Sequence, residues 1–310
     1  MRDVSRRRFL SVAGGVSAAA LGASVLPRMA WAAMGNGPMG LPVGIQLYTV
    51  SDALEKDPAG TLKSLYTIGY REVETAGTAK VKAAEFRKMM DDAGLKCPST
   101  HLQIGGDSPA DKLSEQLDEA HTLGAHYVVC SFLAAPRLPD QPPKYGDIGL
   151  DGYKKLAVRI NEIGKKAKAA GLQYAYHNHN LEFEKMPDGS PGYDVLIHET
   201  DPELVKFEID CGWMVIAGAD PVAYFKKYPG RVKMLHIKDF KPMGKPDISL
   251  RGPERPTGVD LGTGFVQYKP IFAAGKAAGI EHIFVEQEAP FPISRMDSAK
   301  ADFAYIEKLK

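Results

Sequence analysis

His177, Asp210, His236 and Glu286 each close a short apolar run: Tyr174–His177, Val205–Asp210, Val232–His236 and Ile283–Glu286. Imidazole and carboxylate are the side chains that hold divalent cations. A polar group at the end of a buried strand loses its water, and one shared cation offsets that loss for all four at once. Two imidazoles with two carboxylates suit Mn²⁺, Co²⁺, Fe²⁺ or Zn²⁺ better than Ca²⁺. Taken singly, each residue reads equally as a hydrogen-bonded polar group of the core. The metal reading comes from finding four of them in the same place on four successive runs.

Those runs belong to a longer alternation. Strand-like segments begin near Val43, Arg71, Lys96, Tyr127, Leu172, Val205, Arg231 and His282. Their spacing, mostly about 25–45 residues, is that of a βα unit. Amphipathic helices are predicted between them over Ala53–Ile68, Val81–Ala93, Asp111–Leu123, Asp151–Ala170, Pro221–Tyr228, Phe265–Ala278 and Ser298–Lys308. Gly94, Gly171 and Gly279 each follow an alanine and precede an apolar residue, which marks a helix end turning into a strand. Eight such units predict an α/β fold of the (β/α)₈ TIM-barrel type. The alternative is an open doubly wound sheet, which usually carries a glycine-rich loop after its first strand. Tyr48–Asp52 has no glycine. A barrel gathers the C-terminal ends of strands five to eight, and with them the four metal candidates, around one axis. It also places two long loops over the same face: 133–150, with Arg137 and Lys144, and 240–264, with Lys241, Lys245, Arg251 and Arg255.

Five segments resemble the xylose-isomerase-like barrels of the sugar phosphate isomerase/epimerase family. They are Ile68–Glu74, Tyr176–Phe183, Glu208-Ile209-Asp210, His236–Asp239 and Val285-Glu286, and the resemblance covers about residues 43–309. It implies one divalent metal held by Glu, Asp, His and Glu on strands five to eight, with paired glutamates moving a proton beside a carbonyl. Asp210, His236 and Glu286 match the last three positions. His177 stands where ketose epimerases keep a glutamate, and His179, on the same face of the strand, is the alternative ligand. A sugar hydroxyl and its neighbouring carbonyl would chelate the ion, whose charge stabilises the enediolate left by proton removal. Glu286 or His179 is the expected proton carrier, Glu182 the replacement carboxylate, and Lys238 the partner of an oxyanion. Glu74, His101 and Trp213 are the expected substrate-binding residues, Trp213 by stacking on a sugar ring. Mn²⁺ is the expected ion, with Co²⁺, Zn²⁺, Fe²⁺ or Mg²⁺ as alternatives.

Proton return to the opposite face gives epimerisation, and return to the neighbouring carbon gives isomerisation. Expulsion of a β-leaving group makes a dehydratase or a lyase of 3-keto-glycosides, and the histidine at 177 favours that branch. The leading expectation is an isomerase or epimerase of an unphosphorylated sugar or keto-sugar. An endonuclease-IV-like nuclease and a non-catalytic sugar-binding barrel are the other classes considered.

The N-terminus sets the address. Ser5-Arg6-Arg7-Arg8-Phe9-Leu10 resembles a twin-arginine export motif, Val12–Leu26 is apolar, and Ala30-Trp31-Ala32 offers a cleavage site. Residues 1–33 are therefore expected to be a signal peptide, 34–42 a linker and 43–310 the catalytic domain. Val12–Leu26 is short for a membrane span, which needs about 20 residues. The sequence has 310 residues, 39 basic and 38 acidic. Removing the five arginines and one aspartate of residues 1–32 leaves 34 basic and 37 acidic residues, a net charge of −3. That charge and a periplasmic or secreted location disfavour nucleic acid as a partner. The expected partners are a carbohydrate and the export machinery, with no membrane after cleavage and a homo-oligomer left open. Cys97, Cys130 and Cys211 are too few for a disulfide scaffold and read as buried thiols.

Overall fold

A computed structural model describes residues 37–102, 110–131, 148–249, 255–291 and 293–309. Eight parallel strands close into a barrel. They are β1 (Val43–Gln46), β2 (Glu72–Thr75), β3 (Lys96–His101), β4 (Tyr127–Cys130), β5 (Gln173–His177), β6 (Val205–Asp210), β7 (Val232–Ile237) and β10 (His282–Val285). A two-stranded antiparallel ribbon, β8 (Asp239–Phe240) with β9 (Gly258–Val259), sits in the loop after β7. The predicted strands begin within a residue of the observed ones.

The outer faces of the strands pack beneath the helices α1 (Ser51–Lys56), α2 (Pro58–Ile68), α3 (Ala83–Ala93), α4 (Ala110–Leu123), α5 (Gly149–Ala169), α6 (Gly192–Glu199), α7 (Cys211–Ile216), α8 (Pro221–Lys227), α9 (Tyr268–Ala278) and α10 (Arg295–Glu307). The helix expected over Ala53–Ile68 is broken in two. Asp57 caps the second piece by accepting the Gly60 amide at 2.9 Å, and Pro58 takes its first turn, where an amide donor is not needed. Helices α6 and α7 were not anticipated. Gly94 and Gly279 close α3 and α9 in the left-handed conformation, φ 83° and 78°, as the Ala-Gly-apolar phrase predicts. Within the expected linker, Pro38–Gly40 forms a 3-10 turn, with Met39 and Leu41 packed on the core.

Inside the barrel, Tyr127, Val129, Ala175, Met234 and Phe284 make a separate apolar cluster. Ala175, Met234 and Phe284 lie two residues before His177, His236 and Glu286, so on each strand the same inward face passes from apolar to polar. β6 departs from this rule. Glu208 lies two residues before Asp210 and pairs in register with Met234 on one side and His177 on the other. Among the described residues no helix is long and apolar enough to cross a membrane. The expected leader 1–33, the loop stretch carrying Arg137 and Lys144, and Arg251 lie outside the described residues.

Candidate metal centre

The C-terminal ends of β5, β6, β7 and β10 bring His177, Asp210, His236 and Glu286 together, each offering one ligand atom within 4.8 Å of the others. Strand register does most of this positioning. Asp210 pairs directly with His236, and the Glu286 amide donates to the Ile237 carbonyl at 3.0 Å, one step past the end of β10. His236 Nδ1 lies 2.9 Å from Glu286 Oε2, and His177 Nε2 lies 3.7 Å from Asp210 Oδ2. Asp210 Oδ1 accepts the Trp213 amide at 2.9 Å and so caps α7, which fixes the carboxylate and leaves Oδ2 for the centre. All four are buried or nearly so.

A second polar layer lies under the first. Glu208 Oε2 stands 2.9 Å from His177 Nδ1, 3.2 Å from His236 Nε2 and 3.3 Å from His101 Nε2. Glu74 Oε2 meets His236 Nε2 at 2.6 Å and His101 Nε2 at 3.1 Å, and it accepts the Gln46 side-chain amide at 2.8 Å. The Ser99 hydroxyl donates to Glu74 Oε1 at 2.5 Å. A second overlapping set, His101, His177, Glu208 and His236, therefore also has the spacing of a cation site.

Lys238 supplies fixed positive charge. Its Nζ lies 2.9 Å from Asp210 Oδ2, 2.7 Å from Glu286 Oε2 and 2.7 Å from Glu288 Oε1. Glu288 is also gripped by the Trp213 indole N–H at 3.0 Å and by Arg255 at 2.8 Å. Trp213 is fully buried against Ile216 and Phe240, with its ring centroid 5.6 Å from the Lys238 ammonium. It sits behind Glu288, with no ring face open to a sugar. His179 lies beside His177, ring centroids 5.0 Å apart. Glu182 spends both carboxylate oxygens locally, accepting the Tyr176 hydroxyl at 2.8 Å and the His179 amide at 2.9 Å.

The electrostatics favour a cation. Burial pushes the Asp210 carboxyl up to about 6 against the pull of Lys238 and His236. Burial and the adjacent Glu74 charge push Glu208 up to about 7. Burial also acts on Glu74, but His101 and His236 outweigh it and hold that carboxyl well below its ordinary range. For Glu286, Lys238 and His236 likewise outweigh burial and lower it. Burial and the neighbouring His236 keep His177 neutral, far below the usual histidine value, and burial pushes His179 down to about 3. His101 is raised to about 10, because Glu74 and Glu208 overcome its burial. Asp210 Oδ2, although 2.9 Å from Lys238, accepts no aligned hydrogen bond, and Glu208 Oε1 accepts none at all. Burial acts to lower His236, but Glu208, Glu74 and Glu286 outweigh it and raise it, so an ion would displace a proton there; with neutral His177 and the under-satisfied buried carboxylates it completes the donor set of a divalent transition metal. The residues fit such an ion.

Two acids of the site went unremarked in the sequence. Glu208 carried a signal, since Glu-x-Asp puts two acids on one face of a strand whose other inward positions are apolar. Glu288 carried none, because it lies in irregular chain three residues beyond β10.

Residues 62–309 match the xylose isomerase-like TIM barrel family. The chain is 30% identical over 211 residues to an inosose dehydratase of Lacticaseibacillus casei, a match covering 62% of this chain and 65% of that one, so it spans less than two thirds of that relative. It superposes on a sugar phosphate isomerase/epimerase from Parabacteroides distasonis with a TM-score of 0.70 and 27% identity, covering 85% of this chain and 96% of the other. It also shares its fold with the IOLI protein solved with a bound zinc atom, at a TM-score of 0.64 and 14% identity, over 87% of this chain and 98% of that one.

Proposed function

The chain belongs to the xylose isomerase-like TIM barrel family, and on that footing we propose that it is a divalent-cation-dependent sugar isomerase or epimerase. In this reading it removes a proton from the carbon beside the carbonyl of an unphosphorylated sugar or keto-sugar. The observation that carries the proposal is the convergence of His177, Asp210, His236 and Glu286 from four neighbouring strand ends onto one point. A bound cation, Mn²⁺ first and Zn²⁺, Co²⁺, Fe²⁺ or Mg²⁺ as alternatives, supplies Lewis-acid charge to substrate oxygens.

The protein's own groups divide the remaining work. Lys238, held beside Asp210 and Glu286, offers fixed positive charge where negative charge develops on a substrate oxygen. Glu286 and His179, the latter held neutral by burial, are the two proposed proton carriers. His101 lines the floor as the proposed hydroxyl binder, and Glu74, fully buried with both oxygens engaged, backs His236 and His101. Glu182 holds the His179 backbone at its set position, so we assign it a positioning part in place of the base expected from sequence. Ser5–Leu10 and the Ala30-Trp31-Ala32 site support export by the twin-arginine route and work in the periplasm or outside the cell.

A second reading, elimination by a dehydratase or 3-keto-glycoside lyase, is favoured by the likeness to an inosose dehydratase and by histidine at 177. The Mn²⁺-loaded protein in D₂O separates the two. Deuterium at a sugar carbon with all bonds intact supports isomerisation or epimerisation, whereas loss of water or of an aglycone supports elimination. Inertness toward both ketoses and 3-keto-glycosides would sink the proposal.

A further inference from the structure

His177 and His236 belong to both possible cation sets, and an imidazole can give only one nitrogen to an ion while the other keeps its proton. The distances separate the two nitrogens of each ring. His177 turns Nδ1 to Glu208 Oε2 at 2.9 Å and Nε2 toward Asp210 Oδ2 at 3.7 Å. His236 turns Nε2 to Glu74 Oε2 at 2.6 Å and Nδ1 to Glu286 Oε2 at 2.9 Å. His177 Nε2 and His236 Nδ1 are thus the nitrogens left facing Asp210 and Glu286, although the measured pairs of both sets stand 2.9–3.7 Å apart, about the spacing of atoms bound to one ion.

Charge points the same way. In the lower layer Glu74 and Glu208 face ring N–H donors from three histidines, and Glu74 also takes the Ser99 hydroxyl and the Gln46 amide. Five side chains thus converge on those two carboxylates, and Glu208 Oε1 alone is left without a partner. In the upper layer Asp210, Glu286 and Glu288 share the ammonium of Lys238; Glu286 also meets His236 Nδ1, and Glu288 the Trp213 indole N–H and, on its outer oxygen, Arg255. That layer is short of positive charge.

Resting on the cation reading given above, we infer that the ion is taken by His177 Nε2 and His236 Nδ1, and that Glu208 and Glu74 are positioning residues that fix the two rings by gripping the opposite nitrogens. A carboxylate in that place sets the tautomer, locks the ring plane and raises the basicity of the free nitrogen. Glu208 is well placed for the task. It is fully buried and pairs in register with His177, so strand register brings the two side chains face to face.

The test is zinc binding by the purified protein carrying ¹⁵N-histidine. Long-range ¹H–¹⁵N spectra are expected to show His177 protonated at Nδ1 and His236 at Nε2, each with zinc on the other nitrogen. In competition with a chelator, Glu208→Leu is expected to weaken zinc by about 10–100-fold. Glu208→Gln, which still accepts from His177, recovers part of that loss. Zinc on His177 Nδ1 or His236 Nε2 overturns this inference and leaves the cation reading standing. Wild-type affinity in a folded Glu208→Leu variant does the same for the part given to Glu208. No zinc uptake by the wild type overturns both. The spectra of the wild type decide the nitrogen even where the leucine variant fails to fold.

Discussion

Asp210→Asn should separate the cost of the acid cluster from its use. The substitution keeps the shape, and Oδ1 can still cap α7 through the Trp213 amide. It removes one buried charge, and because Nδ2 then faces Lys238 where Oδ2 stood at 2.9 Å, the ammonium must lean on Glu286 and Glu288 instead. Burial raises the wild-type carboxyl to about 6 from an ordinary aspartate value near 4. An acid whose folded value is raised costs stability as pH climbs from the unfolded to the folded value, and the full cost is present above about 6. The difference of about two units, at about 1.4 kcal/mol each, sets a ceiling of about 3 kcal/mol at pH 7.5. Metal-free Asp210→Asn should therefore melt above the metal-free wild type, by at most about 6–12 °C at roughly 2–4 °C per kcal/mol. With a cation present the order should invert. At a free ion concentration about 1,000 times Kd the wild type gains about 4 kcal/mol, or about 8 °C at the low end of the same conversion. The variant should gain little. Differential scanning fluorimetry with EDTA and with Mn²⁺ or Zn²⁺ reads both quantities. A variant that melts below the wild type in EDTA, or that keeps the full metal shift, would refute the reasoning.

His236→Ala and Glu286→Gln should each lower kcat/KM by at least about 100-fold on whichever sugar proves to be turned over, since each removes a ligand. Steady-state kinetics at saturating metal check this, and near-wild-type rates in either variant would remove it from the site. Glu182→Gln should cost about 1–3 kcal/mol of stability, because its new amide donor faces either the Tyr176 hydroxyl or the His179 amide. If Glu182 braces the segment, kcat should stay within about tenfold of wild type; a far larger loss, of the order general-base removal brings, would return the residue to catalysis. Asp302, buried and bonded to the Leu261 amide at 2.7 Å, is raised to about 8 by burial. Its cost to stability grows from about pH 4 to pH 8, so Asp302→Asn should raise Tm at pH 9 much more than at pH 4, as thermal melts across that range would show.

The alternation of apolar runs and amphipathic helices, with glycines at the helix ends, was enough to place the strand starts and the barrel. Binary period and turn chemistry are local properties, so they can be read along the chain. Asp210, His236 and Glu286 were legible for the same reason, since each ends an apolar run where only a buried polar group with a partner makes sense. Position along the chain could not assign partners. That Glu208 backs His177 and that Lys238 is shared by three acids follow from the pairing of neighbouring strands, and that Glu74 reaches His236 across the barrel follows from closure of the sheet. Glu182 and Trp213 looked like site residues by type and place in the chain, yet their bonds go to a backbone amide, a tyrosine hydroxyl and Glu288. Ligand types were written in the sequence because burial at a strand end selects them locally. Which nitrogen of each imidazole is left for the ion was decided by tertiary structure, because that depends on the carboxylates that strand register and barrel closure set against the other nitrogens.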